Sequence, residues 1–320
     1  MRRHPIFLTR TLPDEIMVKL KKRCLLFWNK QDRPLTKAEI IRDAKNKTAM
    51  ITMLSDPIDT DVIDNCPRLK VIANYAVGYN NIDLAAAKKK GIVVTNTPGV
   101  LTETTADLAW ALIMAISRRV VEGDQLVRSR KWNGWTPTQL LGNDVFGKTL
   151  GIVGMGRIGQ AVARRAKGFG MKVIYHSRHP IKLENERALE TMRLPLDELL
   201  TRSDFVSLHV PLTAETRHLI GRKQFSKMKK TSYLINTARG AVVDEAALVT
   251  ALKKGAIAGA GLDVFEAEPK VHPGLLRLRN IVLLPHLGSA SRETRIKMGE
   301  MVIENIFAVL EGRKAPAQVN

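Results

Sequence analysis

Short apolar runs rich in β-branched residues alternate with amphipathic stretches along the whole chain. In the first third the pattern predicts strands at residues 6–8, 24–28, 49–54, 71–74 and 92–95, separated by helical segments around 14–22, 37–46, 60–65 and 84–90. Strands that alternate with helices are joined by crossovers rather than hairpins, so the expected sheet is parallel and the class is α/β. A second series begins at residue 149, with strands predicted at 149–153, 172–176, 205–208, 233–236, 258–262 and 281–284. Six strands in that order predict a doubly wound, nucleotide-binding sheet. The last periodic stretch, 292–310, carries Ile296, Ile303, Ile306, Phe307 and Leu310. It needs a core to pack on and is expected to return to the first domain.

Two segments depart from this alternation. Residues 106–116 are apolar all round rather than along one stripe, which predicts a helix buried on every side, between domains or between subunits. Residues 132–147, including Trp132, Gly134 and Trp135, show no periodicity. A long irregular segment of this kind is usually functional or an interface arm.

Length and composition narrow the class. The chain has 320 residues, 45% of them hydrophobic, enough for two ordinary domains. Its longest apolar stretch, within 108–116, is about half of the ~20 residues needed to cross a bilayer, and the run after the basic start Met1-Arg2-Arg3 is too short for a secretory signal. A cytoplasmic protein without a membrane partner is expected. The two cysteines, Cys24 and Cys66, have no second thiol or histidine at ligand spacing, so neither a disulfide scaffold nor a zinc module is expected. The net charge is +20. Its basic residues are scattered and lack interleaved aromatics, so nucleic-acid binding is not the favoured reading.

The most informative local motif is Gly154-Met155-Gly156-Arg157-Ile158-Gly159, which follows one apolar run and opens an amphipathic stretch. In that strand, turn and helix context the first glycine permits a tight turn and the second lets backbone approach a pyrophosphate. The third lets helix and strand pack closely, and the helix N-terminus meets the anion. At the end of the next strand an acid that would hold a ribose 2′-hydroxyl is missing, and Ser177 and Arg178 stand there instead. Arg178 is suited to a 2′-phosphate, which points to NADP(H) with NAD(H) possible; a simple exposed loop arginine is the other reading. His176 and His179 have no third ligand in view, so no metal is expected.

Three further predicted strands end in Arg239, in Asp263 with Glu268, and in His286. Carboxyl ends of strands line the ligand crevice of an open parallel sheet, so these residues can converge despite their separation. An arginine can clamp a carboxylate, an imidazolium can protonate an oxygen as hydride arrives, and a carboxylate can hold that imidazole charged. Taken singly, each could be an ordinary surface residue; the combination carries the reading.

Residues 153–159, 236–240, 261–265 with Glu268-Pro269, and 285–289 together resemble the motifs of the D-isomer-specific 2-hydroxyacid dehydrogenases, over about residues 71–308. The resemblance implies a Rossmann nucleotide-binding domain, residues 99–289 with a dimerisation helix and arm, inserted into a flavodoxin-like substrate domain, residues 1–98 and 290–320. It implies a homodimer formed through the helix after Pro98 and the arm that follows, and in such a dimer Trp132 and Trp135 are expected to cap the partner's active site. It also implies Arg239 as the substrate-binding arginine, His286 as acid/base, Glu268 as its carboxylate partner, and Asp263 near the nicotinamide amide. Val77 and Gly78 match the loop whose N–H groups receive a substrate carboxylate. Within the family, residues 96–102 and the tryptophan-bearing arm look most like glyoxylate/hydroxypyruvate reductases, so the expected substrate is a small 2-keto acid. The uncharged Val77 speaks against a phosphite dehydrogenase. A nucleotide-sensing regulator similar to the co-repressors on this fold, or another dehydrogenase of the family such as a phosphite dehydrogenase, is the alternative.

Overall fold

Residues 3–31 and 33–320 are described by the computed structural model; Met1, Arg2 and Asp32, and with them the basic start of the chain, lie outside the described residues. Two compact units divide the chain. One runs up to Leu101 and resumes at Ser289–Asn320, and the other is Thr102–Gly288.

The first unit holds a five-stranded parallel sheet: β1 (Pro5–Leu8), β2 (Leu25–Trp28), β3 (Ala49–Thr52), β4 (Val71–Asn74) and β5 (Val93–Thr95), in the order β2-β1-β3-β4-β5. This is the flavodoxin-like order. Every residue of β3 and β4 is buried, as expected for strands covered on both faces, which is why these runs read as continuously apolar. Side chains cap three of the intervening helices: Thr36 forms a capping box with Glu39, while Asp59 and Asp83 accept from Val62 and Ala86 N–H. The long helix Arg292–Leu310, capped by Ser291, buries Met298, Val302, Ile306 and Phe307 in this unit's core. Gly299 lets it approach the helix Asp14–Arg23, because a Cβ there would come within 2.5 Å of Ile16.

The second unit holds seven parallel strands: β6 (Thr149–Val153), β7 (Lys172–His176), β8 (Thr191–Arg193), β9 (Phe205–Leu208), β10 (Tyr233–Asn236), β11 (Gly259–Leu262) and β12 (Ile281–Leu283). Their order, β12-β11-β10-β9-β6-β7-β8, is the Rossmann order with one added strand. All six predicted strands are present. The seventh, β8, escapes the pattern because it is a three-residue edge strand whose Met192 and Arg193 face solvent.

The helix Thr102–Ser117 buries Ala106, Ala109, Trp110, Leu112, Ile113 and Ile116 within the second unit, while Ala111 is exposed and Leu108, Met114 and Ala115 are half-buried. Trp110 is only 6% exposed, stacks on Phe169 at 4.4 Å and donates from its indole nitrogen to Val162 O at 3.1 Å. Leu112 and Ile116 press on β11, whose Gly261 and Gly259 make room for them. Glycine in the sheet thus makes room for this face of the helix. The next helix, Val120–Arg128, buries no residue of its own.

Candidate active site

The glycine-rich turn joins β6 to the helix Arg157–Ala166, and its three glycines stand in three different settings. Gly154 has φ +101°, and a Cβ would fall 2.6 Å from His209 C in the segment after β9. Gly159 brings the helix onto the strand, since a Cβ would meet Gly154 O at 2.2 Å. A Cβ on Gly156, by contrast, would meet nothing within 4 Å; Gly156 is the helix N-cap and no side chain caps its N–H groups. Open backbone at an uncapped helix start suits a dinucleotide pyrophosphate. Arg157 is exposed beside it and Ile158 half-buried, whereas the Met155 side chain is turned into the core and leaves only its backbone to the loop.

At the end of β7, Ser177 is half-buried and Arg178 exposed. His176 Nδ1 lies 3.1 Å from Leu194 O, and no cluster of three metal-ligating side chains exists among the described residues. Hydrogen bonding with Thr213 and local backbone holds the Glu215 carboxyl below its ordinary range, and the charge of Arg178 adds to this.

Arg239, Glu268 and His286 follow the neighbouring strands β10, β11 and β12. His286 Nδ1 stands 2.8 Å from Glu268 Oε2, with the side chains 25% and 27% exposed. Burial opposes the charge of Glu268. The hydrogen bond and charge of His286, the N–H of Phe265 at 3.0 Å and the Arg239 guanidinium outweigh it and hold the carboxyl below its usual value. Burial pushes Arg239 down and Glu268 pushes it back; an arginine starts so far above neutrality that it stays charged. Its Nη1 donates to Ala238 O at 2.7 Å.

Two devices that the sequence did not reveal fix this trio. Gly240 packs against the β11 loop so closely that a Cβ would lie 1.9 Å from Phe265 C, which locks the Arg239 loop to the Glu268 loop. Asp263, fully buried, gathers three successive N–H groups. His286 N–H donates to its carbonyl at 2.9 Å, Leu287 N–H to Oδ1 at 2.6 Å and Gly288 N–H to Oδ2 at 2.8 Å. These bonds hold the His286 loop, where His286 itself takes φ +56°. Burial raises its carboxyl, against the pull of those N–H groups and of His286.

In the first unit, Val77 and Gly78 lie on the loop after β4, half-buried. Thr97 N–H donates to Ala76 O at 2.9 Å and Asn96 Nδ2 to Val77 O at 2.7 Å. In trans peptides the N–H lies opposite the C=O, so these two bonds turn the N–H groups of Val77 and Gly78 the other way, as a pair of donors. Asn74 Nδ2 similarly ties Gly78 O at 2.8 Å. Asn74, Asn96 and Thr97 had no assigned role in the sequence because their partners are backbone carbonyls, which no side-chain pattern reveals.

Comparison with known proteins places the chain in a family. Residues 110–288 match the NAD-binding domain of the D-isomer specific 2-hydroxyacid dehydrogenases. A glyoxylate reductase of Korarchaeum cryptofilum is 54% identical, covering 98% of this chain and 95% of the relative. A solved structure from Thermus thermophilus superposes with TM-score 0.92 at 48% identity, covering 99% of this chain and 100% of that one. The NADPH-dependent glyoxylate/hydroxypyruvate reductase of Sinorhizobium meliloti, solved with NADP and malonate, superposes with TM-score 0.89 at 35% identity, covering 99% of this chain and 97% of that one.

Proposed function

This chain belongs to the D-isomer-specific 2-hydroxyacid dehydrogenase family, and from that premise we propose that its physiological substrates are glyoxylate and hydroxypyruvate, reduced to glycolate and D-glycerate with NADPH preferred over NADH. It is an NAD(P)-dependent oxidoreductase acting on a small 2-keto acid. The observation that carries the reading is the His286–Glu268 pair at 2.8 Å on strand ends adjacent to that of Arg239.

The cofactor, when bound, supplies the hydride. Arg239 offers a planar fork to the substrate carboxylate and carbonyl, and in the first unit the Val77 and Gly78 N–H groups form a pair of donors suited to an anion. With Nδ1 turned to Glu268, Nε2 is the nitrogen of His286 that hands a proton to the carbonyl oxygen. Glu268 lowers the cost of carrying that proton on the ring beforehand. His286 is partly exposed and so can be reprotonated from solvent after each turnover. For the cofactor, Ser177 imposes no like-charge penalty on a 2′-phosphate, and Arg178 adds a charge-assisted bond of roughly 1.5–3 kcal/mol, about one to two orders of magnitude of preference.

The relevant test is an initial-rate panel of small 2-keto acids with NADH and NADPH in parallel, on wild type and His286→Ala. Glyoxylate and hydroxypyruvate should lead the panel, and the variant should lose ~10²–10⁴-fold in kcat while cofactor binding persists. A wild type inert with every keto acid, as a nucleotide-sensing regulator would be, or a variant with undiminished turnover, refutes the reading.

Association of two copies is part of this proposal. The helix Val120–Arg128 and the arm after it leave Val120, Val121, Val127, Trp132, Trp135 and Phe146 exposed, Trp132 by 52% and Trp135 by 79%. So many large apolar side chains on one continuous segment mark an interface.

A further inference from the structure

Edge strand β8 ends at Arg193, paired in register with Tyr175 of β7, and its guanidinium reaches back to the turn that follows β7. Nε donates to Ser177 O at 3.0 Å and Nη2 to Arg178 O at 2.9 Å. One planar edge thus holds two successive carbonyls. Because each peptide is trans, fixing the carbonyls of Ser177 and Arg178 turns the N–H groups of Arg178 and His179 to the opposite side. Neither N–H donates to an acceptor among the described residues. The next residue, Pro180, has no N–H to add, and the Ser177 hydroxyl is directed to His179 O. Two successive outward N–H groups beside the Arg178 guanidinium form a small anion cradle.

We propose that Arg193 is a positioning residue for cofactor selectivity, holding the turn at 177–179 so that its backbone N–H groups and Arg178 present a cradle for the 2′-phosphate of NADP(H). This rests on the NADPH preference proposed above and assigns its scaffold. Arg193 acts through the turn and does not itself bond the phosphate. A guanidinium is required because a lysine ammonium has no planar edge with which to span two carbonyls. The turn leaves the adenosine part of the ligand to other residues, so loss of the clamp should discriminate between ligands with and without the 2′-phosphate.

The test measures equilibrium binding by calorimetry of 2′,5′-ADP and of 5′-AMP to wild type, Arg193→Ala and Arg193→Lys, with NADPH and NADH initial rates alongside. Both variants should bind 2′,5′-ADP about tenfold more weakly and 5′-AMP within about twofold of wild type, and should raise the KM for NADPH alone, with kcat at saturation kept. The 5′-AMP affinity of each variant reports that the fold is intact. If Arg193→Ala retains wild-type discrimination between the two nucleotides, the inference falls and the NADPH preference stands. If Arg193→Lys behaves as wild type, charge rather than the clamp is responsible and the positioning role is refuted. A wild type that binds 5′-AMP as tightly as 2′,5′-ADP and favours NADH overturns the preference and this inference together.

Discussion

At the scale of single residues, the site depends on side chains whose charge is set by neighbours. Glu268 is held below its ordinary carboxyl range mainly against burial and mainly by His286, so over neutral pH it is an anion facing the imidazole. Replacing it by glutamine keeps a hydrogen-bonding shape and removes the charge that favours the imidazolium. The alkaline limb of kcat/KM for keto-acid reduction should then move to lower pH in Glu268→Gln, and a pH–rate profile identical to wild type would show that the pair is not functional. His209, at the end of β9 with Nε2 2.8 Å from the Ser207 hydroxyl, is a different case: burial pushes it down from 6.5 to about 4. Between those values the unfolded chain binds a proton that the folded chain refuses. Stability is therefore undiminished by this group above about 6.5 and declines as pH falls toward 4. Melting temperatures of wild type and His209→Asn should accordingly converge, or cross, as pH is lowered through that window; a constant gap would mean His209 titrates normally.

Among elements, what matters is how closely strand-end loops approach one another. The β10 and β11 loops touch through Gly240, and no rotamer adjustment can relieve a Cβ placed 1.9 Å from a backbone carbon. Gly240→Ala must move either the Arg239 loop or the Glu268 loop. It should lower kcat/KM for the keto acid by about 10²-fold or more, because small misplacement of oriented groups is that costly. Dinucleotide binding, read by NADPH fluorescence, should suffer much less, since the glycine-rich turn after β6 is untouched. An alanine variant with wild-type kinetics would show that the two loops are not coupled. The same scale explains the missed strand β8, whose three residues owe their conformation to pairing with β7 and not to any pattern of their own.

For the whole molecule, exposed apolar surface makes a quantitative claim. The apolar stretch 106–116, expected between domains or subunits, keeps Leu108, Ala111 and Ala115 at least partly exposed, and the segment beginning at Val120 adds the exposed apolar side chains on which the proposed association is tested. Light scattering at micromolar protein should give twice the chain mass, and charged replacements at Val121 and Val127 should reduce it toward one. A monomeric wild type would leave Trp132 and Trp135 without the partner assigned to them. Activity unchanged in a Trp132→Ala, Trp135→Ala double variant would remove their capping role alone.

Much was already determined by the sequence. Parallel strands buried on both faces must be spelled as apolar runs, and helices between them as amphipathic stretches, so eleven of the twelve described strands and the long final helix are readable from periodicity. The dinucleotide turn is readable because Gly154 and Gly159 leave no room for a side chain, and Arg239, Glu268 and His286 because each follows a predicted strand with a functional group of distinct chemistry. Tertiary structure alone decided the rest. Asn74, Asn96 and Arg193 exert their effects on backbone carbonyls, Asp263 on backbone N–H groups, and Gly240 through the absence of an atom. Such contacts depend on where two distant loops are brought, and a linear pattern records the type of each residue but not the backbone that will lie against it.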